Sequence, residues 1–470
     1  MASGERLGTW PPATSPGRAP SGVCCRFGAC RYTKPHVSPE YLASPAAPQG
    51  RLAPHRRAHD GRDGQGGLSQ QWWDLRRCGS HSCCTDVALT WAGESRNSVG
   101  GVPESTVTKA RIPRACGKML VHNRTGRLTR MVRLTAIDLF SGCGGLTQGL
   151  KDAGFRVLAA VEIDEKARET YALNHGDVPL AGSDIRRVSA AHLLRSCALK
   201  RGELDLLAGC PPCQGFSTLR SRNGRSAAPD PRNDLIDEFA RLAIALRPKM
   251  VMMENVPALA RYKKFGDLIE NLQRAGYQTR FEVLDVSAFG VPQRRKRLIL
   301  SASRIGSPAL APVSNCRVTV RDAIGKMKKA GTSGDSLHDR TTSPRTPRVQ
   351  AIIAAIPKDG GSRHSLPDSL KLGCHGKTSG FNDVYGRMKW DDVAPTITSG
   401  CHNPSKGRFI HPVEDRPITL REAALLQGFP GEYQFNLMHG KEAIALMIGN
   451  ALPPPFIAAH SKMMARELRL

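Results

Sequence analysis

From about residue 131 onward the sequence predicts an α/β fold built on a doubly wound, mostly parallel sheet, and three observations carry that prediction. Short apolar runs alternate with segments of helical periodicity. Polar, aromatic or reactive residues (Phe140, Glu162, Asp184, Cys213 and Glu254) fall at the ends of those runs, where open parallel sheets bind ligands. Residues 303–412 break the alternation and form a smaller second region, after which residues 413–470 return to apolar, helical text.

The elements follow in order. Residues 135–140 read as a buried strand, 141–145 as a tight glycine turn, and 146–153 as a helix closed by Gly154. A second strand at 156–161 ends at Glu162, and Asp164 caps a helix over 165–174. A short third element ends near Asp184, and a helix over 190–199 leads to the apolar run from Leu204. That run breaks at Cys210-Pro-Pro-Cys213. Next come a helix with Leu235, Phe239 and Leu242 at helical spacing, a strand at 249–253 ending at Glu254, and a helix over 265–275. Strands at 278–284 and 297–301 complete the sheet. Further on, residues 417–429 read as a turn and an amphipathic helix with Leu420, Ala424 and Leu425 inward, and a last helix runs over 455–470.

Residues 1–130 read differently: Pro, Gly, Ser and Arg dominate, and apolar periodicity is missing. The expectation is a disordered extension, or an upstream stretch read through from a misassigned start, the next methionines being Met119 and Met131. It carries 19 Lys and Arg against 8 Asp and Glu, while residues 131–470 carry 49 against 33. The downstream part is therefore basic in its own right, and the net charge of +27 favours a polyanionic partner, nucleic acid above all. The 14 cysteines form no even, closely spaced framework, which points to free thiols in a reducing compartment. The cysteine clusters before residue 120 miss zinc spacing. No apolar stretch is expected to approach membrane-spanning length, so a soluble intracellular chain is expected.

Two stretches carry chemistry. Pro211 and Pro212 fix two φ angles and stiffen the loop that presents Cys213 beyond a strand, as a nucleophilic thiol requires. A buried structural cysteine and a redox pair with Cys210 are the competing readings of this loop. Gly142, Gly144 and Gly145 let backbone N–H groups approach a ligand at a helix start, and Glu162 stands where a carboxylate accepts ribose hydroxyls. Together they suit an adenosine-type cofactor and leave NAD and S-adenosylmethionine both open.

Six stretches, in this order, resemble the motif series of the DNA (cytosine-5) methyltransferases. They are Asp138-Leu-Phe-Ser-Gly-Cys-Gly-Gly145, Pro211-Pro-Cys-Gln-Gly-Phe-Ser217, Glu254-Asn-Val256, Gln293-Arg-Arg-Lys-Arg297, Arg421-Glu-Ala-Ala-Leu-Leu-Gln-Gly-Phe429 and Gly449-Asn-Ala-Leu-Pro-Pro454. The resemblance spans about residues 133–465. It implies a Rossmann-like, S-adenosylmethionine-dependent methyltransferase domain over 131–302, a target-recognition region over 303–412, and a return to the catalytic domain over 413–470. It makes Cys213 the nucleophile, Glu254 the acid at the cytosine ring, and Arg295 and Arg297 further active-site contacts. The cofactor set it implies is Asp138, Phe140, Ser141, Gly142, Cys143, Gly144, Gly145, Glu162, Ile163, Asp184, Ile185, Pro211, Asn450 and Ala451. No metal is implied. Ile163 departs from the pattern, since many relatives place an aromatic residue there against the adenine.

The implied reaction explains the residue types. Carbon 5 of cytosine attacks a methyl sulfonium only after a thiolate adds at carbon 6, and the adduct needs an acid at ring nitrogen 3, which asks Glu254 to carry a proton. A base inside a duplex cannot reach such a thiol, so it must be flipped out. The implied partner is double-stranded DNA, bound by a cytoplasmic, nucleoid-associated monomer, and the reading leaves room for a separately acting cognate restriction endonuclease. Lys389, Arg387, Lys406 and Arg408 are candidate phosphate contacts, and a flexible linker is the competing reading of 326–346. A tRNA enzyme of the same family is the alternative. A non-catalytic DNA-binding module would need a broken nucleophile or acid, and a thioredoxin-like oxidoreductase would leave Glu254 and the arginine motif without work.

Overall fold

The computed structural model describes residues 120–122, 128–130, 133–212, 234–314, 317–340, 345–373 and 382–470. All of them belong to one compact unit, Lys109–Leu470. Cys213 and nearly all of the N-terminal extension lie outside the described residues. Leu120–His122 and Leu128–Arg130 pair antiparallel, a regular ribbon upstream of the point where the sequence predicted one to begin.

Seven strands form the central sheet: β1 (Thr135–Leu139), β2 (Arg156–Val161), β3 (Leu180–Gly182), β4 (Leu206–Gly209), β5 (Met250–Asn255), β6 (Gln278–Asp285) and β7 (Lys296–Ser303). Their spatial order is β3-β2-β1-β4-β5-β7-β6. The pairs from β3 through β5 are parallel, and β7 runs antiparallel to both of its neighbours. The sheet is thus mostly parallel, as expected, with one reversed strand that a short return from β6 makes possible. The order changes direction between β1 and β4, which leaves a crevice beyond their carboxyl ends.

The period-2 geometry of the strands explains the two faces. Ile137, Leu139, Val251 and Met253 pack under helices α3 (Ala190–Ser196), α4 (Leu235–Leu246) and α5 (Lys263–Arg274). The intervening Ala136, Met250 and Met252 pack under α1 (Gly145–Asp152), α2 (Glu165–Asn174) and the last helix, Pro454–Glu467. Asp138 faces this second side and is fully buried. There the Thr147 hydroxyl donates to its carboxyl at 2.7 Å, and burial pushes its pKa up to about 8. Strand β5 runs two residues further than the sequence suggested, so Glu254 is a ladder residue opposite Ile299 rather than a residue just beyond the strand.

A third core joins the segment after the sheet to the C-terminal return. Val320 and Ile324 of α6 (Val320–Ile324) pack with Met388, Ile397 and Phe409, with α9 (Leu420–Gln427), and with α10 (Gly440–Asn450). Leu420 and Ala424 are buried as expected; Leu425 is only half-buried. Helix α9 is entered through a capping box between Thr419 and Glu422, and Arg416 holds the Glu422 carboxylate with two 2.8 Å bonds. Between α6 and α9 lie α7 (Ser336–Asp339) and α8 (Pro347–Ala355). The described residues just before and within α7 are tied down rather than free. The Asp339 carboxylate accepts from the N–H groups of Gly331, Ser333 and Gly334, and buried His338 is bonded to Thr419 and to the Lys328 carbonyl.

Two expectations need correcting here. Arg387 is no phosphate contact: it is fully buried, and its guanidinium donates to the carbonyls of Ile353, Ile356, His411 and Glu414 and to Asp415. Arg408 is likewise committed, to Asp383 and to the carbonyls of Gly360, Gly361 and Arg387. A guanidinium matches several converging carbonyls as well as it matches a phosphate, and sequence does not show which it meets. The other correction concerns Leu437–Glu467, which is long and apolar enough by composition to cross a membrane. Its apolar window is 72% buried inside the protein, and prolines at 453–455 break it into α10 and α11 (Pro454–Glu467), so its hydrophobicity serves the core.

Candidate active site

A cavity of about 700 Å³ opens beyond the carboxyl ends of β1, β2, β4 and β5. Strand β1 delivers Phe140, Ser141, Gly142, Cys143 and Gly145 to its wall, and β2 delivers Glu162 and Ile163. Asp184 and Ile185 follow β3, Pro211 follows β4, Glu254 is the last residue but one of β5, Arg295 just precedes β7, and Arg297 is its second residue. Asn450 and Ala451 come from the end of α10. Two expected cofactor residues, Asp138 and Gly144, stand behind this wall rather than in it.

The turn depends on its glycines. Phe140, Gly142 and Gly144 all take positive φ, at 63°, 55° and 100°. A Cβ on Gly145 would sit 2.4 Å from the Leu452 carbonyl oxygen, whereas nothing lies within 4 Å of where one on Gly142 would be. Gly142 is therefore the open point of the turn, facing space rather than protein. Its N–H donates to Glu162 at 2.8 Å, and the Asp164 N–H donates to the other carboxyl oxygen at 2.9 Å. Burial raises the pKa of Glu162, against the pull of these two donors. Asp184 caps the following turn through the Arg186 N–H at 3.1 Å. Ile163 is 63% exposed at the rim.

On the opposite wall Glu254 is 3% exposed and meets Arg297 Nε at 2.9 Å. The Cys210 thiol donates to its second oxygen at 3.2 Å. Arg295 is buried and bridges two segments, donating to the carbonyls of Ile397 and Gly449 at 2.9 Å each. It lines the cavity while these two bonds hold its guanidinium against backbone.

Several residues at this site escaped the sequence reading. Asn255 donates from Nδ2 to the Pro211 carbonyl at 2.9 Å and accepts the Val256 N–H at 2.8 Å, so it fixes the loop that leads into Cys213. Gln293 donates to Gln427 at 2.6 Å and accepts the Ile397 N–H at 2.9 Å, while Gln427 donates to the Ala451 carbonyl at 2.5 Å. All three lie inside the motif stretches, which was the available signal, but their partners are over a hundred residues away in two cases. Asn255→Ala would leave the buried Pro211 carbonyl without its donor, at a cost of about 1–3 kcal/mol. The expected result is a fall of about 10–100-fold in single-turnover methylation, with the cofactor dissociation constant unchanged; an unaltered rate would show that the loop is held by other means.

A crevice at the point where strand order reverses, with a glycine turn and a strand-end carboxylate on one wall and a buried Glu–Arg pair on the other, is the ligand-binding layout of an α/β enzyme. The C-5 cytosine-specific DNA methylases match this chain over residues 134–466, and the chain belongs to that family: it is a DNA (cytosine-5-)-methyltransferase. Among similar proteins, the type II methylase M.HgiDII of Herpetosiphon aurantiacus is 37% identical over 357 residues, covering 71% of this chain and 94% of that protein. The type II methyltransferase M1.HphI of Haemophilus parahaemolyticus is 34% identical over 328 residues, covering 68% of this chain and 84% of its own. A crystal structure of a prophage-encoded E. coli protein assigned as a DNA modification methyltransferase shares the fold at TM-score 0.56 and 24% identity, covering 72% of this chain and all of that one.

Proposed function

We propose that the chain methylates carbon 5 of cytosine within one specific sequence of double-stranded DNA, through a covalent adduct of Cys213 with a flipped-out base. The observation that carries this reading is the single cavity in which Glu254, paired with Arg297, faces the glycine turn and Glu162 across the Pro211–Pro212 loop. That loop leads directly into Cys213.

The residues of the first wall fit S-adenosylmethionine. The open backbone at Gly142 suits close approach by a ligand, the Glu162 carboxylate keeps lone pairs for a ribose diol, and Phe140, Ile163 and Ile185 offer apolar surface. Asp184, Pro211, Asn450 and Ala451 complete the enclosure. When bound, this cofactor supplies an electrophilic methyl group. The protein's own residues do the rest. The Cys213 thiolate adds to carbon 6 and pushes electron density to carbon 5. Glu254 donates to ring nitrogen 3, held in place by Arg297 and excluded from water by burial. After carbon 5 takes the methyl group its proton passes to solvent, the carbon 5–carbon 6 double bond re-forms as Cys213 leaves as thiolate, and nitrogen 3 returns its proton to Glu254.

Flipping costs a few kcal/mol, offset by phosphate contacts and by contacts of the 303–412 region with the flanking bases. Lys389 and Lys406 remain the candidates for phosphate there. The reading includes action as a monomer in a cytoplasmic, nucleoid-associated setting. The type II relatives add a role in restriction–modification, with a cognate endonuclease acting separately. Base-resolution methylation mapping of DNA from cells expressing the chain is expected to show 5-methylcytosine in one sequence context. Modification confined to tRNA, or absent from both nucleic acids, would overturn the proposal.

A further inference from the structure

The back of the glycine turn is gripped by two residues with no part in the chemistry above. Tyr433 is buried and donates its hydroxyl to the Cys143 carbonyl at 2.5 Å. His175 is buried beside it, with Nε2 at 3.0 Å from that hydroxyl and 3.2 Å from the Gly144 carbonyl. The tautomer follows from these partners. A carbonyl only accepts, so the tyrosine spends its proton on Cys143, and its oxygen and the Gly144 carbonyl share the His175 Nε2–H. Nδ1 is then the acceptor, and the Lys151 ammonium stands 3.4 Å from it. Burial and that ammonium hold the His175 pKa down at about 4, so the ring is neutral at pH 7.

The consequence is geometric. Peptide units are planar, so fixing the Cys143 carbonyl fixes the Gly144 N–H, and fixing the Gly144 carbonyl fixes the Gly145 N–H. The Gly144 N–H closes the turn on the Ser141 carbonyl at 2.9 Å, and Gly145, the first residue of α1, lines the cavity wall. The packing is tight: a Cβ on Gly144 would lie about 2.5 Å from both the Tyr433 hydroxyl and the His175 ring. Tyr433 is itself immobilised. Its ring packs on Phe429 with centroids 4.6 Å apart, and its carbonyl accepts from Arg421, which pairs with Asp335 at 2.5 Å.

We propose that Tyr433 and His175 are positioning residues for the cofactor, holding the carbonyls of Cys143 and Gly144 so that the turn keeps its binding shape. This rests on the reading of the first wall as the S-adenosylmethionine site. The test is calorimetric binding of S-adenosylhomocysteine to the full chain and to Tyr433→Phe, which removes one oxygen, with steady-state kinetics and thermal unfolding alongside. The expected result is about five- to tenfold weaker binding, the loss of one buried hydrogen bond. The cofactor KM should rise by the same factor, kcat at saturating cofactor should stay within about twofold, and DNA affinity should not change. Equal binding by the variant, or a fall in kcat with cofactor affinity unchanged, overturns the inference. Failure of the wild-type chain itself to bind would instead sink the cofactor reading. Should Tyr433→Phe not fold, His175→Gln, which moves the donor off the Gly144 carbonyl, decides the question by the same readouts.

Discussion

Cys213→Ala is expected to abolish methyl transfer while leaving DNA binding and cofactor binding within about twofold of the wild type. Without the thiolate, carbon 5 of cytosine stays a poor nucleophile. Binding should survive because phosphate contacts and the glycine turn do not involve this sulfur. The loop into residue 213 is stiff at Pro211 and Pro212 and is held by Asn255, so a change from thiol to methyl should not reshape it. DNA carrying 5-fluorocytosine gives a second readout. The fluorine cannot leave as a proton does, so the wild-type chain should remain covalently attached and the variant should not. Transfer by Cys213→Ala, or a trapped adduct with it, would refute the covalent route.

Glu254→Gln is expected to lower the single-turnover rate by about 10²–10⁴-fold, the usual worth of a positioned general acid. The amide still offers Arg297 an acceptor though not a counter-charge, so the thermal midpoint should fall by less than in Glu254→Ala. Glu254→Ala should lose the same rate and also destabilise the protein by about 3–5 kcal/mol, because Arg297 would be left in a mostly buried site without its counter-charge. The difference between the two variants separates chemistry from structure. A Glu254→Gln protein that methylates at the wild-type rate would remove the acid from the mechanism, and the adduct would then need another donor at nitrogen 3.

The alternation of apolar runs and helical segments was enough to predict the sheet, because strands buried on both faces must be apolar and brief while the helices that cover them must be amphipathic. It also put Phe140, Glu162, Asp184 and Glu254 at strand ends, and all four line the cavity, whereas Arg295, Arg297, Asn450 and Ala451 were named only through the family resemblance. Charge was a poorer guide. Arg387 and Arg408 sit in a basic, polar stretch that looks like a DNA surface, yet their acceptors are carbonyls and carboxylates brought in from other segments. Arg295 shows the same thing inside the site, where two of its bonds join Ile397 to Gly449.

Local sequence, then, determined which residue types stand at the ends of the strands, because that depends on neighbours one to four positions away, while the reaction was read from the resemblance of six ordered motifs to a known family. Tertiary structure alone decided the company they keep. Arg297 meets Glu254 through the register of a reversed strand, Asn255 reaches back to Pro211, and Tyr433 grips a carbonyl 290 positions earlier in the chain. Such pairings depend on how whole elements pack, and packing is a property of the complete set of buried surfaces rather than of any one stretch.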